Sequence, residues 1–156
     1  MNSLGNIIGE LCKVILPIPE ESYLGNSDSS IAICTLSSID LLKKISNSDI
    51  LNHVSIAGRL LSENKGIDSI IKYVNQNKKI KTIIVCGKEV WGHKAGHSLF
   101  ELHKNGIDDY GRIINSSSPD PFLNVTKSEI NYFQNEIKLV NMIDEVNFNK
   151  IKKLVI

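Results

Sequence analysis

Three short apolar runs, each rich in β-branched residues and each followed by a stretch of helical spacing, govern how this chain folds. They are "SIAICTL" over 30–36, "HVSIAGRL" ending through Gly58, and "IKTIIVCG" over 80–87. Continuous apolar runs of this length mark strands buried on both faces. Between them, "SIDLLKKI" predicts a helix with Ser38 as its N-cap. "KGIDSIIKYVNQN" places Ile67, Ile70, Ile71 and Val74 on one helical face. After the third run, "HKAGHSLFELHKNG" predicts a helix stopped by Asn105-Gly106. "GRIINSS" is expected as a fourth strand, "SSSPDPFLN" as a loop, "KSEINYFQNEIKLVNMI" as one long amphipathic helix and "NFNKIKKLVI" as a last short helix. Strand–helix alternation with buried strands implies an α/β fold, a mostly parallel sheet with helices on both faces. It is read as one domain over 1–156, with 1–22 as a lead-in.

Composition excludes several classes. The 156 residues suffice for one domain with a real core, and 42% apolar with 22% charged residues is ordinary for a globular protein. A formal net charge of +1 argues against a nucleic-acid binder. The dense basic run "NQNKKIKT" falls between a helix and a strand, where lysines face solvent. Cys12, Cys34 and Cys86 are odd in number and widely spaced, which argues against a disulfide framework and for a reducing compartment. The N-terminus lacks the charge and cleavage pattern of a signal peptide. No apolar stretch reaches the ~20 residues that span a bilayer. A cytoplasmic protein is expected, and the "NVT" at Asn124 is then no glycosylation site.

In a parallel sheet, ligands bind at the carboxyl ends of the strands, where Gly58 and Gly87 fall. The stretch after Gly87 reads "KEVWGHKAGHSLFELHKNG". Gly92 and Gly96 flank His93, so a large ligand can approach the backbone there. The helix that follows offers free N–H groups, which suits an anion or a nucleotide phosphate. The pattern is neither a Walker A loop nor GxGxxG. His93, His97 and Glu101 recur every four residues, so a helix reaching back to His93 would allow a zinc site. Against these stand plainer readings. His93 can be a histidine hydrogen-bonded into its loop, Trp91 a packing residue, His53 structural, and His103 a solvated residue at a helix C-terminus.

The same stretch resembles the core motif of the A subunit of tetrahydromethanopterin S-methyltransferase. That family's pattern is a strand ending in glycine, then Glu-Val-x-Gly-His-x-x-Gly-Gln-Ser and a helix closing on Asn-Gly. Glu89, Val90, Gly92, His93, Gly96, Ser98, Asn105 and Gly106 match it. "YLGNSDSSIAICTL", "SENKGIDSII" and "GRIINSSSPDPF" are similar to further segments of the family, so the likeness runs from about residue 23 to 143. The resemblance implies a Rossmann-like domain that binds a cobamide (cobalamin-type corrinoid), with His93 as the lower axial ligand of its cobalt. Gly58, Gly87, Glu89, Gly92, Gly96, His97 and Ser98 are then the expected cofactor-binding residues. A hydrogen-bond acceptor for the other nitrogen of His93 is expected from Glu89, Ser98 or a backbone carbonyl.

The function so implied is a corrinoid methyl carrier working with partner methyltransferase subunits. Its cobalt takes a methyl group from a methyl-tetrahydropterin and passes it to a thiol such as coenzyme M. Three positions depart from the family pattern. His97 stands where glutamine is expected. "GRLLSEN" replaces a Gly-Pro-Cys/His-Thr-Glu-Asn loop, and "SSSPDPF" replaces a glycine-alanine loop. Membrane-bound members carry a C-terminal transmembrane helix, whereas this sequence closes on "KKLVI". The expectation is therefore a soluble relative or a truncated chain, without a membrane segment of its own. Two alternatives are a fold-conserved relative that has lost the cofactor and acts as an interaction or regulatory partner, and a nucleotide- or phosphate-binding α/β domain.

Overall fold

A computed structural model describes residues 22–156. Cys12 and all of the expected lead-in but Ser22 lie outside the described residues. In chain order the elements are β1 (Ser22–Leu24), β2 (Ile31–Cys34), α1 (Ile39–Ser46), a 3-10 helix (Asp49–His53) and β3 (Ile56–Gly58). They continue with α2 (Lys65–Gln76), β4 (Thr82–Gly87), α3 (Ala95–Asn105), α4 (Lys127–Glu136), β5 (Lys138–Ile143) and α5 (Phe148–Lys152). The sheet order is β1-β3-β2-β4-β5, with β3, β2, β4 and β5 parallel and β1 antiparallel on the edge. The expected mostly parallel α/β architecture is thus observed.

Strand side chains alternate between two cores, as the period of two requires. Ala32, Cys34, Ile83 and Val85 pack with Ile67, Ile71 and Val74 of α2, Leu99 and Leu102 of α3, and Ile130 and Phe133 of α4. Ile33, Ile84 and Cys86 face the other way, against Leu41, Leu42 and Ile45 of α1, Ile50 and Ile151. The strand order reverses direction between β2 and β4, because the chain moves from β2 outward to β3 and then crosses back to β4. In doubly wound sheets that reversal opens a crevice at the strands' carboxyl ends. The loops after Cys34 and Gly87 meet there. Lys88 N–H donates to Ser38 Oγ (2.8 Å), and the Lys88 carbonyl accepts from Ser37 N–H (3.1 Å) and Ser37 Oγ (2.8 Å). Ser38 does precede α1, but its hydroxyl serves this contact and makes no cap bond.

Two expected elements are corrected. "GRIINSS" is not a strand; it makes only isolated bridges, Ile107 to Ile113 and Arg112 to Phe122. Positive φ at Gly111 (83°) and Asn115 (65°) bends the backbone at both ends. Its polar groups are satisfied within the loop instead, Ile113 N–H by the Pro121 carbonyl and Ile114 N–H by that of Gly106. The second correction falls on the long helix, which stops at Glu136. Ile137 is extended, and 138–143 forms β5, paired along its length with β4 from Thr82–Lys138 to Gly87–Ile143. Leu139 and Ile143 join one core while Val140 and Met142 join the other. A helix can bury only one stripe, so this two-faced apolar content is satisfied by a strand. His53 also changes place, ending the 3-10 helix rather than starting a strand. His103 is half-buried, not solvated. Its Nε2 donates to the Ile137 carbonyl (2.7 Å), and its ring meets Phe133 edge-on at 5.2 Å.

Gly87 ends β4 at φ 78°, and a Cβ there would collide with the Thr35 carbonyl. Left-handed strain and overpacking together predict that Gly87→Ala lowers unfolding free energy by about 2–4 kcal/mol, measured by urea denaturation. The buried thiols carry a second expectation. Burial pushes Cys34 up to about 12, and it raises Cys86 as well. A thiol without thiolate character is inert. Iodoacetamide at pH 8 should therefore leave Cys34 and Cys86 unmodified in the folded protein and alkylate both in urea, as read by peptide mapping.

Candidate functional site

Three loops converge on His93, two of them at strand ends and one between α3 and α4. The first follows β4. Gly87 N–H donates to the Glu145 carbonyl (2.8 Å) and Glu89 N–H to Asp144 Oδ1 (3.0 Å), so the loop leaves the sheet on fixed points. The Glu89 carboxylate then turns inward. It accepts Val90 N–H (2.8 Å) and Gly96 N–H (3.0 Å) on Oε1, and His97 N–H (2.8 Å) on Oε2. Two of these donors belong to the open first turn of α3, so Glu89 satisfies that helix end and its positive pole. An anion expected at this N-terminus finds the protein's own carboxylate already there.

Gly92 sits at φ 79° with open space around it, and Lys94 adopts the left-handed region at φ 49°. His93 therefore lies on a projecting turn outside α3, which starts at Ala95. The zinc face of His93, His97 and Glu101 does not assemble. His97 Nε2 accepts from Ser117 N–H (3.1 Å), and Glu101 Oε2 accepts from Asn105 Nδ2 (2.7 Å). No group of three or more potential metal ligands occurs among the described residues.

The second loop, between β3 and α2, supplies the partner that sequence reasoning missed. His93 Nδ1 lies 2.9 Å from Glu63 Oε2, with the imidazole 56% exposed and the glutamate side chain 1% exposed. The other Glu63 oxygen accepts Asp120 N–H (3.0 Å), donated by the third loop. A carboxylate only accepts, so in the neutral ring the His93 proton resides on Nδ1 and Nε2 keeps its lone pair. Neither Glu89 nor Ser98 contacts the imidazole. The available signal was "SEN" in "GRLLSEN": a lone carboxylate before a helix cap, at a strand end facing the histidine loop.

The remaining expected residues have defined places. Gly96 is buried, and a Cβ on it would press on Glu89 Oε2, Ile143 and Leu36, so its role is close packing. Ser98 is fully buried and hydrogen-bonded to Ser116 and Ser118. Gly58 lines a cavity of about 220 Å³ with Arg59, Tyr73 and Ile80, on the α2 side of the sheet. Trp91 is not a packing residue: it is 95% exposed, two positions from His93.

This is an α/β domain whose sheet ends present one oriented imidazole on an open glycine turn. A sequence profile of the A subunit of tetrahydromethanopterin S-methyltransferase matches residues 16–156. The chain is 37% identical to the Mtx A subunit of Methanosarcina barkeri, which that protein's name assigns to a methyltransferase, over 89% of this chain and 68% of the relative. It is 31% identical to the second form of the tetrahydromethanopterin S-methyltransferase A subunit in Methanothermobacter thermautotrophicus, over 82% of this chain and 72% of the relative. It is 34% identical to the first form in the same organism, over 87% of this chain and 56% of the relative. The chain belongs to the family of the tetrahydromethanopterin S-methyltransferase A subunit, a methyltransferase component. No helix among the described residues is long and apolar enough to cross a membrane.

Glu63→Ala removes the acceptor of both His93 Nδ1 and Asp120 N–H. It is expected to lower stability by about 1–3 kcal/mol in denaturant titrations. Gly92→Ala, with no neighbour to meet, should cost only the left-handed strain of about 1–2 kcal/mol.

Proposed function

We propose that this chain is the cobamide-carrying component of a methyltransferase, with His93 as the lower axial ligand of the cobalt. The observation that carries the reading is the buried Glu63 carboxylate on His93 Nδ1, which leaves Nε2 as the one free nitrogen of a half-exposed ring. An imidazole ligand bound through one nitrogen and holding a carboxylate through the other is the arrangement expected of metal-ligating histidines. The donor set therefore fits a single axial contact, and the open surroundings of Gly92 fit a large planar group. His97 is the poorer ligand, because its Nε2 already accepts the Ser117 N–H. A bound cobamide would supply the cobalt that takes up and releases the methyl group.

The chain's own residues bind and orient. Glu63 holds the Nδ1 proton and so fixes the ring's orientation and leaves Nε2 to a ligand. The positive φ of Gly92 and Lys94 raises the ring above the sheet end. Trp91 adds an exposed aromatic surface beside it. The names of the relatives support a methylated tetrahydropterin as donor, a sulfur acceptor and further subunits as partners; the acceptor in this reading is a thiol such as coenzyme M. Two free buried cysteines accord with a reducing, cytoplasmic setting.

Trp91 is the only tryptophan, so its fluorescence reports on this loop alone. Titration with hydroxocobalamin should quench that emission and shift the cobalt absorption bands. His93→Ala should abolish the band shift and weaken binding by about tenfold or more, while His97→Ala keeps the shift. Neither quenching nor shift with cobamide in excess would sink the proposal and leave a fold-conserved interaction partner.

A further inference from the structure

Resting on the reading of His93 as a ligand, we propose that Ser118 is a positioning residue. Its hydroxyl ends a buried chain of serine hydroxyls that locks the segment 116–120 onto both sides of His93.

The direction of that chain follows from counting protons. Ser118 Oγ lies 3.2 Å from the Lys94 carbonyl, which can only accept, so the single Ser118 hydroxyl proton is used there. Ser98 Oγ, 2.6 Å from Ser118 Oγ, must then donate to it. Ser116 Oγ, 2.6 Å from Ser98 Oγ, must donate to Ser98 in turn, while itself accepting Ser118 N–H (3.1 Å). Each hydroxyl donates once, and the chain runs Ser116 to Ser98 to Ser118 to the Lys94 carbonyl. All three serines are buried. Buried hydroxyls fully satisfied by one another specify a single arrangement.

The chain ends where positioning matters. Lys94 follows His93 directly and holds a left-handed conformation that a lysine rarely adopts. Its carbonyl accepts the Ser98 N–H (3.0 Å) from the first turn of α3 and the Ser118 hydroxyl (3.2 Å) from the facing segment, and its N–H donates to the Val90 carbonyl (2.9 Å). The same segment reaches the far side of the imidazole two residues later, where Asp120 N–H holds Glu63 Oε1. Asn64 Nδ2 secures that end by donating to the Asp120 carbonyl (3.2 Å) and Oδ2 (3.1 Å). Segment 116–120 thus grips the backbone after His93 and the carboxylate on its Nδ1 together. Loosening one grip frees the ring to turn away from Glu63.

The test compares the parent with Ser118→Ala, using nitrogen-15 histidine spectra of the cobamide-free protein beside hydroxocobalamin titrations. The parent should show His93 as the Nδ1–H tautomer alone. Ser118→Ala, with its amide spectrum otherwise folded, should show both tautomers and bind hydroxocobalamin about tenfold more weakly. A folded Ser118→Ala protein with the parent's His93 tautomer would overturn the proposal. If Ser118→Ala does not fold, Ser118→Cys serves. It keeps the side chain's shape but replaces the hydroxyl on the Lys94 carbonyl with a weak thiol donor, and an unchanged His93 signature in that folded protein would overturn the proposal equally. Failure of the parent to bind cobamide would refute the function proposed above, yet the tautomer comparison would still decide the role of Ser118.

Discussion

A carboxylate withdrawn from water needs a hydrogen-bond donor on each oxygen, and Glu63 organises this molecule by having two from different loops. One donor is the imidazole of His93, from the loop after β4. The other is the backbone of Asp120, from the long segment between α3 and α4. Glu63 itself precedes α2, whose first turn is capped by the neighbouring Asn64. Three segments distant in sequence are therefore fixed relative to one another by a single charged group. The sheet brings their roots together at one end, and Glu63 sets their final positions.

Glu89 does comparable work at lower cost. It lies at the strand end nearest α3 and closes that helix from below, so the helix pole is satisfied internally. The two glutamates divide the loop between them. Glu89 holds its base and the start of the helix, and Glu63 holds the tip. Between them the backbone rises through two positive-φ residues, which gives His93 a projecting place that neither a strand nor a helix could offer.

The parallel core was readable because β2, β3 and β4 are continuously apolar and need no partner to be recognised. β5 was not. "KLVNMI" carries apolar residues at spacings that suit a helix face as well as a strand, and a good helix runs directly into it. Only the proximity of β4 decides the matter, and proximity is absent from local sequence. The loop 106–126 was misread for a related reason. Ile113 and Ile114 look like strand residues, yet their backbone partners are Pro121 and Gly106, set by bends at Gly111 and Asn115. Within the site, Gly87, Gly92 and His93 were legible because glycine and histidine leave local marks. The role of Glu63 was not, since a carboxylate reveals its partner only when the chain is folded. Resemblance to the family supplied the rest, and the sequence profile matched over residues 16–156 bears it out at the level of the family.

The passage from α4 to β5 at Ile137 bears on the order of folding. The residues of α4 can form hydrogen bonds with their neighbours at once, whereas every ladder bond of β5 awaits a strand far earlier in the chain. Closing so long a loop is entropically slow, and contacts of this kind form late. Until β4 accepts its last neighbour, residues 138–143 are free to extend the helix before them. The native edge of the sheet is thus settled by a competition between a fast local structure and a slower distant one. Both cores gain side chains only when the distant one wins.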